Sequence, residues 1–287
     1  MSNMSKQFTV GIIGVQGKFG KFLLRLFKDF GCEVIGSDLK DGHPSHYRNR
    51  DVVEQSDIVV FSVPPRVTVD IIDSMTVYSR PDQLWMDITS VKAEPVRSML
   101  KSQSAVIGLH PMCAPSVNSL KGQTVVVCRV RINDWQPWFG RFMDWTGARI
   151  KICSPEDHDR NVAIVQGMVH AAQLIMAATV KSLGQDVAES LEFTSPVYRV
   201  ALGLMGRILK QDSNLYADIQ MLNPYVPPML REVASQLEHL QVMIATKDTE
   251  AFSEWFNASR DNFGKEILEK NYELFEKISR LMINSND

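Results

Sequence analysis

Two polar residues in the first half of the chain follow apolar runs that are typical of buried strands. Ser90 comes after the run WMDI (85–88), and His110 comes after the run AVIGL (105–109). Ligands of open α/β sheets collect at the carboxyl ends of the strands, so both side chains are predicted to face one crevice. There an imidazole can accept a proton from a substrate hydroxyl, and a serine hydroxyl can hold the other ring nitrogen. The competing interpretation of His110 is a loop residue that satisfies backbone groups.

A glycine-rich turn, residues 14–20 (GVQGKFG), follows the first apolar run and opens the first helical stretch. Glycines with this GxxGxxG spacing allow a tight turn and the approach of a pyrophosphate to the helix N-terminus. Asp38 ends the second predicted strand, where a carboxylate binds a ribose 2′-hydroxyl and repels a 2′-phosphate; nearby Lys40 weakens this preference for NAD over NADP. The competing interpretation is a glycine turn that binds no dinucleotide. The predicted cofactor residues are Gly14, Gln16, Gly17, Lys18, Phe19, Gly20, Asp38, Ser62, Val63, Pro64 and Ser90.

A polar stripe interrupts an apolar helical stretch in the second half of the chain. Its members are His158, Asp159, Gln166 and His170. Asp159 and Gln166 are seven residues apart, and Gln166 and His170 are four apart, so helical periodicity predicts one shared face. Such a stripe must be hydrogen-bonded or line a cavity. A structural network between helices is the competing interpretation.

Two arginines on the next helical stretch suit recognition of a carboxylate. Arg199 and Arg207 are eight residues apart, just over two helical turns, so both can reach one region. A guanidinium in a crevice binds a carboxylate through paired hydrogen bonds. The competing interpretation is a pair of surface arginines, each bonded to an acidic residue.

The elements that must position these residues divide the chain in two. Before Cys153, apolar strands alternate with helical stretches, which predicts a parallel α/β sheet covered on both faces. After it, Ser154 and Pro155 are typical of a helix start, and only helical periods follow. We therefore predict an α/β domain over residues 1–152 and an all-α domain over residues 153–287. The predicted helical segments are 155–182, 187–211, 228–246 and 249–283.

Composition excludes several classes of protein. The 287 residues carry 31 basic and 33 acidic side chains, and this balance argues against a nucleic-acid-binding face. The four cysteines form no CxxC pair, so neither a disulfide framework nor a metal site is predicted. Residues 1–7 lack the apolar core of a secretory signal, and the uncharged stretch 161–179 is interpreted as the core helix of a soluble protein. We therefore expect a cytoplasmic protein with no membrane partner.

Further motifs occur in order along nearly the whole chain. They are DITSVK at 87–92, GLHPM at 108–112, DHD at 157–159, SPVYR at 195–199, GR at 206–207 and DSNLYADI at 212–219. With the glycine turn, these motifs resemble the prephenate dehydrogenase family, and most closely the dehydrogenase portion of the bifunctional chorismate mutase–prephenate dehydrogenases. The resemblance implies a Rossmann-type domain with a parallel sheet, followed by an all-α domain that forms a homodimer through its C-terminal helices.

The resemblance also implies a reaction, the NAD-dependent oxidative decarboxylation of prephenate to 4-hydroxyphenylpyruvate in tyrosine biosynthesis. His110 is implied to accept the proton of the C4 hydroxyl while hydride passes from C4 to NAD. Ser90 is implied to orient His110 and the nicotinamide. Arg207 is implied to bind a carboxylate of the small-molecule substrate. The other implied substrate-binding residues are Arg199, as a weaker candidate, His170 and Gln166.

The chain departs from the family pattern near the implied pocket. Residues 113–115 (CAP) stand where close relatives carry an aromatic residue and a glycine, and Val169 replaces an arginine. These changes leave arogenate and 4-amino-4-deoxyprephenate open as alternative substrates, and a non-catalytic NAD-binding regulator open as a second alternative. Since only about seven residues precede the first strand, we also expect no chorismate mutase activity.

Overall fold

Seven strands form a single sheet in the first part of the chain. The computed structural model describes residues 7–38 and 48–284. The spatial order of the strands is β2-β1-β3-β4-β5-β6-β7. Their bounds are β1 Thr9–Ile13, β2 Glu33–Ser37, β3 Ile58–Phe61, β4 Leu84–Asp87, β5 Ala105–Pro111, β6 Thr124–Arg131 and β7 Arg149–Ile152.

The first five strands are parallel, as the apolar runs predict, but the sheet is mixed beyond them. Strand β6 runs antiparallel to β5, and β7 runs parallel to β6. The connection over residues 112–123, which the structure describes in full, contains no helix, and an antiparallel neighbour needs no helical crossover. Strand β7 was not predicted, because its four residues alternate charged and apolar side chains and all are exposed.

Alternate residues of the central strands enter two separate cores, one on each face of the sheet. Ile12 of β1 and Val60 of β3 belong to one core, whereas Ile13 and Phe61 belong to the other. This period of two explains the continuous apolar runs, since both faces are covered. The covering helices are α1 Lys18–Asp29, α2 Asn49–Gln55, α3 Pro65–Met75, α4 Ala93–Met99 and α5 Gln136–Thr146.

The predicted helix 155–182 has an irregular centre. It consists of α6 (Pro155–Val162), a π-helical turn (Ala163–Met168) and α7 (Val169–Ser182). The Ser154 hydroxyl caps α6 by accepting a hydrogen bond from the Asp157 amide at 3.0 Å. The π turn interrupts, between Asp159 and His170, the regular helical period on which the prediction of one shared face rests.

The chain folds into two compact units, each of which packs mainly within itself. The first contains the sheet and extends to Val165, and it also includes Ala217–Pro224. The second contains Gln166–Tyr216 and the residues from Tyr225 onward.

The second unit consists of helices and connecting turns, and its described residues form no strand. Its helices are α7, α8 (Val187–Ser190), α9 (Pro196–Leu209), the start of α10 (Ser213–Met221), α11 (Val226–Thr246), α12 (Thr249–Phe263) and α13 (Lys265–Asn284). Helix α7 packs on α9, and α13 packs on both α9 and α12. Pro227 and Pro228 lie in the first turn of α11, where their missing amide protons cost no hydrogen bond.

One helical stretch among the described residues, Pro155–Ser182, is long and apolar enough to cross a membrane by length and composition. Only 22% of its most apolar window is buried inside the chain, so the prediction of a buried core helix is wrong for the single chain. The stretch therefore carries a broad apolar surface that the single chain leaves uncovered. Its exposed residues include Ile164, Val165, Met168, Val169, Ile175 and Met176.

Candidate active site

A hydrogen-bonded chain of two histidines and one aspartate lies at the carboxyl end of β5. His110, which is part of β5 and 5% exposed, places Nδ1 2.9 Å from Nε2 of His158 on α6. Nδ1 of His158 lies 2.8 Å from Oδ1 of Asp159. Both residues of α6 are buried. The sequence placed His158 and Asp159 in a polar stripe, but nothing in the spacing connects them to His110, which precedes His158 by 48 residues.

The Asp159 carboxylate is held by the backbone at the start of α4. The amides of Lys92 and Ala93 donate to its two oxygens at 2.7 and 2.9 Å. The Asn223 side chain, which is also buried, donates to the Asp159 main-chain carbonyl at 2.7 Å. The two amides hold both carboxylate oxygens, so Asp159 is the fixed end of the hydrogen-bonded series.

This fixed end determines the tautomer of each histidine. The carboxylate accepts a hydrogen bond from Nδ1–H of His158, so the neutral ring presents Nε2 as an acceptor. His110 must then donate from Nδ1, and its own Nε2 becomes a proton acceptor. Burial, aided by the neighbouring His158 and the Lys92 ammonium, holds the pKa of His110 well below 6.5. Burial also lowers the pKa of His158, although Asp159 opposes this shift. The arrangement provides a neutral imidazole that can act as a general base.

A buried ion pair supports the loop that carries the two amides. The Lys92 ammonium bonds the Asp87 carboxylate at the end of β4, and both side chains are fully buried. The Thr89 amide and hydroxyl also donate to Asp87. Burial lowers the pKa of Lys92, and Asp87 opposes this effect. Asp87 and Lys92 lie in the DITSVK motif, which sequence reasoning singled out without assigning either residue a role; Asn223 had no sequence signal.

Ser90 does not hold the His110 ring as predicted. Its hydroxyl oxygen is buried and has no hydrogen-bond partner among the described residues, and Nδ1 of His110 is bonded to His158. The sequence placed Ser90 and His110 at neighbouring strand ends, but it did not show that α6 brings a second imidazole against the same ring nitrogen.

The glycine turn connects β1 to α1 and requires glycine at two positions. Gly14 has a φ of +90°, and a Cβ there would clash with the carbonyl oxygen of Ser62. A Cβ on Gly20 would clash with the Gly14 carbonyl oxygen. The turn is therefore packed closely against both the end of β3 and the first helical turn, as a pyrophosphate-binding turn requires.

The other predicted cofactor residues surround this turn. Asp38 accepts a hydrogen bond from the Gln16 amide at 2.9 Å, so its carboxylate lies beside the turn. Ser62 follows β3, and its buried hydroxyl oxygen bonds no group in the described part of the chain. Val63 and Pro64 lead into α3, whereas Gly17, Lys18 and Phe19 form the start of α1. Lys40 lies outside the described residues.

A second cluster of functional side chains lies within the helical unit. His170 on α7 contacts the ring of Tyr216 edge-on, with the ring centroids 4.9 Å apart. Burial lowers the pKa of His170 and raises that of Tyr216, and the positive charge of Arg207 lowers both. Gln211 donates to the Tyr216 hydroxyl at 2.9 Å. The structure thus brings Arg207 close to His170, and it adds Tyr216 and Gln211, which were not predicted although Tyr216 lies in the LYADI motif.

Arg199 and Gln166 also belong to the helical unit. Arg199 lies on α9, two turns before Arg207, and Gln166 lies in the π turn that precedes α7. Within residues 7–38 and 48–284, no group hydrogen-bonds the buried Nδ1 atom of His170, which is typical of a side chain that serves a ligand.

Comparison with known proteins identifies both halves of the chain. Residues 38–151 match the family model for the nucleotide-binding domain of prephenate dehydrogenase, and residues 154–258 match that for its dimerization domain. The chain is 34% identical over 274 residues to a probable arogenate/prephenate dehydrogenase of Methanocaldococcus jannaschii, and the match covers 90% of this chain but only 61% of that longer protein. It is 28% identical over 274 residues to the T-protein of Haemophilus influenzae, covering 94% and 72%.

A solved structure shares the fold. Prephenate dehydrogenase from A. aeolicus, in complex with hydroxyphenyl propionate and NAD+, superposes with a TM-score of 0.71 at 22% identity, over 91% of this chain and 98% of that one. At this identity the likeness concerns the fold, a nucleotide-binding domain followed by a helical domain. With two family models matching consecutive parts of the sequence, the chain belongs to the prephenate dehydrogenase family.

Proposed function

We propose that the protein is an NAD-dependent prephenate dehydrogenase that converts prephenate to 4-hydroxyphenylpyruvate. The observation that carries this proposal is the chain from Asp159 through His158 to His110, which leaves Nε2 of a neutral, buried imidazole as a proton acceptor. A dehydrogenase that oxidises an alcohol needs such a group, and a nucleotide-binding protein without chemistry does not.

The proton acceptor acts on the C4 hydroxyl of the substrate. Nε2 of His110 takes the hydroxyl proton as the C4–H bond breaks, and NAD held by the glycine turn would supply the hydride acceptor. The ring carboxylate then leaves as CO2, and its bonding electrons pass through the ring to the C4 oxygen. That oxygen recovers its proton from His110, so the product is a phenol. Aromatisation makes the conversion effectively irreversible.

His158 and Asp159 stabilise the positive charge that His110 acquires when it accepts the proton. Once protonated, the imidazole keeps its Nδ1–H directed to His158, and the Asp159 carboxylate stabilises the positive charge through that ring. Because the backbone amides of Lys92 and Ala93 already hold Asp159, little reorganisation accompanies proton transfer.

The glycine turn and Asp38 fit NAD. The close approach at Gly14 and Gly20 leaves backbone amides at the α1 N-terminus for the pyrophosphate. The Asp38 carboxylate suits a ribose 2′-hydroxyl and repels the 2′-phosphate of NADP. Ser62, Val63 and Pro64 at the end of β3, with Ser90 after β4, are proposed to complete the cofactor site.

In the helical unit, Arg207 is proposed to bind a substrate carboxylate. Arg207 is exposed and its positive charge acts on His170 and Tyr216, so these side chains form a positively charged cluster in which the Nδ1 atom of His170 is buried. Arg199 remains the weaker candidate for the same task, and Gln166 is proposed to line the pocket.

The apolar surface of α7 favours a homodimer. A single chain leaves most of the apolar window in Pro155–Ser182 exposed, and the matching family model describes a dimerization domain. A second copy packed on these helices would cover that surface. Because a second copy of the protein would cover this apolar surface, we propose that the enzyme is cytoplasmic and has no membrane partner. We also propose that residues 1–152 form the NAD-binding domain and residues 153–287 the substrate-binding and dimerisation domain.

A substrate panel tests the function. Prephenate, arogenate and 4-amino-4-deoxyprephenate are each supplied with NAD or NADP, while NADH or NADPH formation, CO2 release and product mass are followed. We expect the highest kcat/KM with prephenate and NAD. A higher kcat/KM with arogenate or 4-amino-4-deoxyprephenate would identify that compound, and not prephenate, as the substrate. The altered residues Cys113 and Val169 are the reason to include both compounds. Binding of NAD without turnover of any of the three would support the non-catalytic regulator instead.

A further inference from the structure

Cys128 and Cys153 lie side by side in the first unit. Cys128 is on β6, and Cys153 follows β7 directly. These strands are parallel, with Val127 opposite Ile152, so the two cysteines occupy the next positions along the pair. The Cys153 amide donates to the Val127 carbonyl at 3.3 Å, which continues the ladder to this point.

The two thiols are close enough for each to act on the pKa of the other, and neither cysteine is part of a disulfide. Cys128 is fully buried, whereas Cys153 is partly exposed. Adjacent positions on neighbouring strands place Cα atoms about 5 Å apart, within the range of about 4.4–6.8 Å that a disulfide spans. The two Cα atoms are therefore close enough for a disulfide to form after a small shift of the Cys153 backbone.

The pair is next to the residues that hold His110. Cys128 is opposite Gly108 in the β5–β6 ladder, two residues before His110. The charges of Lys92 and Asp87 both act on the Cys128 thiol, and that of Asp159 acts on Cys153. Cys153 also immediately precedes Ser154, the N-cap of the helix that carries His158 and Asp159. Cys153 is therefore directly connected to the start of α6.

We propose that Cys128 and Cys153 are a redox-sensitive pair, whose oxidation to a disulfide lowers turnover by displacing α6. The bond would bring the sulfurs to about 2.05 Å and draw Cys153 towards β6. His158 would then move relative to His110. This effect on turnover rests on the proposed function, whereas formation of the disulfide does not.

The chemistry requires a low-molecular-weight disulfide such as oxidised glutathione. The Cys153 thiol loses a proton and attacks one glutathione sulfur, which releases the other as a thiolate. The Cys128 thiol then loses its proton and attacks Sγ of Cys153, which releases the second glutathione thiolate. Two protein thiols are oxidised, and one glutathione disulfide is reduced to two thiols. Burial raises the pKa of both thiols, that of Cys128 to about 12, and Cys153 reacts first because it is the more exposed of the two residues.

The test exposes the reduced full-length protein to oxidised glutathione, blocks the remaining thiols by alkylation and maps the peptides by mass spectrometry. We expect a Cys128–Cys153 linked peptide with a mass about 2 Da below the sum of the two reduced peptides. We also expect kcat to fall about tenfold or more, as small misplacements at active sites do, and to recover with dithiothreitol.

Two variants provide controls. Cys153→Ser should keep its activity in the presence of the oxidant. Cys32→Ala, which removes a buried thiol just before β2, should respond as the parent protein does. A stable glutathione adduct on Cys153 without the linked peptide would overturn the proposal, and so would a linked peptide with unchanged kcat.

A structural readout separates this proposal from the proposed function. Imidazole NMR signals of His110 and His158 report the displacement without substrate. A linked peptide that leaves these signals unchanged would contradict the coupling even in a protein with no measurable turnover. Failure of the redox proposal and failure of the proposed function therefore remain distinguishable.

Discussion

Nδ1 of His110 lies 2.9 Å from Nε2 of His158, although the two residues come from a strand and a helix that are 48 positions apart in the chain. The contact fixes which nitrogen of His110 carries the proton, because Asp159 occupies the opposite nitrogen of His158. Replacement of any of these three hydrogen-bonded side chains should therefore have a defined consequence.

Replacing His110 by Asn should abolish most of the turnover. The amide cannot accept a proton, and a general base typically contributes about 10²–10⁴-fold to the rate. We expect kcat with prephenate to fall by that factor while the Kd for NAD, measured by fluorescence titration, changes little. Turnover within about threefold of the parent protein would remove His110 from the proposed mechanism.

Replacing Asp159 by Asn should lower both turnover and stability. The uncharged amide presents an N–H group towards either the Ala93 amide or His158, where an acceptor is required. We expect kcat to fall about 10²-fold and the free energy of unfolding, measured in urea, to fall by about 1–3 kcal/mol. Asp157→Asn is the matched control, because Asp157 is exposed and forms its ion pair with Arg160 on the surface. An equal loss of kcat in both variants would contradict the role of Asp159.

The pH dependence should show an acid limb below the ordinary range of histidine. Burial holds the pKa of His110 well below 6.5, so the active neutral base persists as pH falls through 6.5 and is lost only at lower pH. A plot of log kcat/KM against pH checks this expectation. An acid limb at or above pH 6.5 would show that another group, or a solvated histidine, controls the rate.

Stability should depend on pH with a definite sign. His110 and His158 both have lowered pKa values in the folded protein, so the unfolded chain binds more protons as pH falls below about 6.5. These two groups therefore reduce the free energy of unfolding as pH falls from about 6.5 towards their folded values. Urea titrations of the parent protein and of His110→Asn should differ in this slope, the variant being less sensitive. Equal slopes would show that His110 is not buried in its neutral form.

Replacing Arg207 by Ala should act mainly on substrate binding. Loss of a charge-assisted hydrogen bond costs about 1.5–3 kcal/mol, equivalent to a roughly 10–150-fold increase in KM. The positive charge of Arg207 also lowers the pKa of His170, so the variant should raise that pKa in an NMR titration. Arg199→Ala should raise KM less. A normal KM in the Arg207 variant would contradict carboxylate binding by this residue.

Several features of the protein followed from local sequence. The five parallel strands were predicted because residues buried on both faces of a sheet form continuous apolar runs. The glycine turn was predicted from its GxxGxxG spacing. The physical reason for that spacing is that a Cβ on Gly14 or Gly20 would clash with backbone atoms. The start of α6 was predicted because Ser154 caps the helix through its own side chain. All three depend on residue types that are distinctive within a short stretch of the chain.

Other features were decided by tertiary structure. The antiparallel direction of β6, the exposed strand β7 and the π turn were not predicted, because no residue pattern distinguishes a strand's direction, an exposed strand or a π turn. The assignment of Ser90 as the partner of His110 was wrong for a related reason. Proximity along neighbouring strands suggested the serine, whereas packing of α6 beside α4 supplied His158.

The sequence by itself determined which side chains are available for chemistry, the glycine turn that suits a dinucleotide, and the family to which the motifs correspond. Only the tertiary structure decided that His110 is bonded through His158 to Asp159, and that the amides of Lys92 and Ala93 and the side chain of Asn223 hold Asp159. The physical reason is that hydrogen bonds act over about 3 Å between atoms that the folded backbone brings together from distant positions, and residue spacing carries no information about such distances.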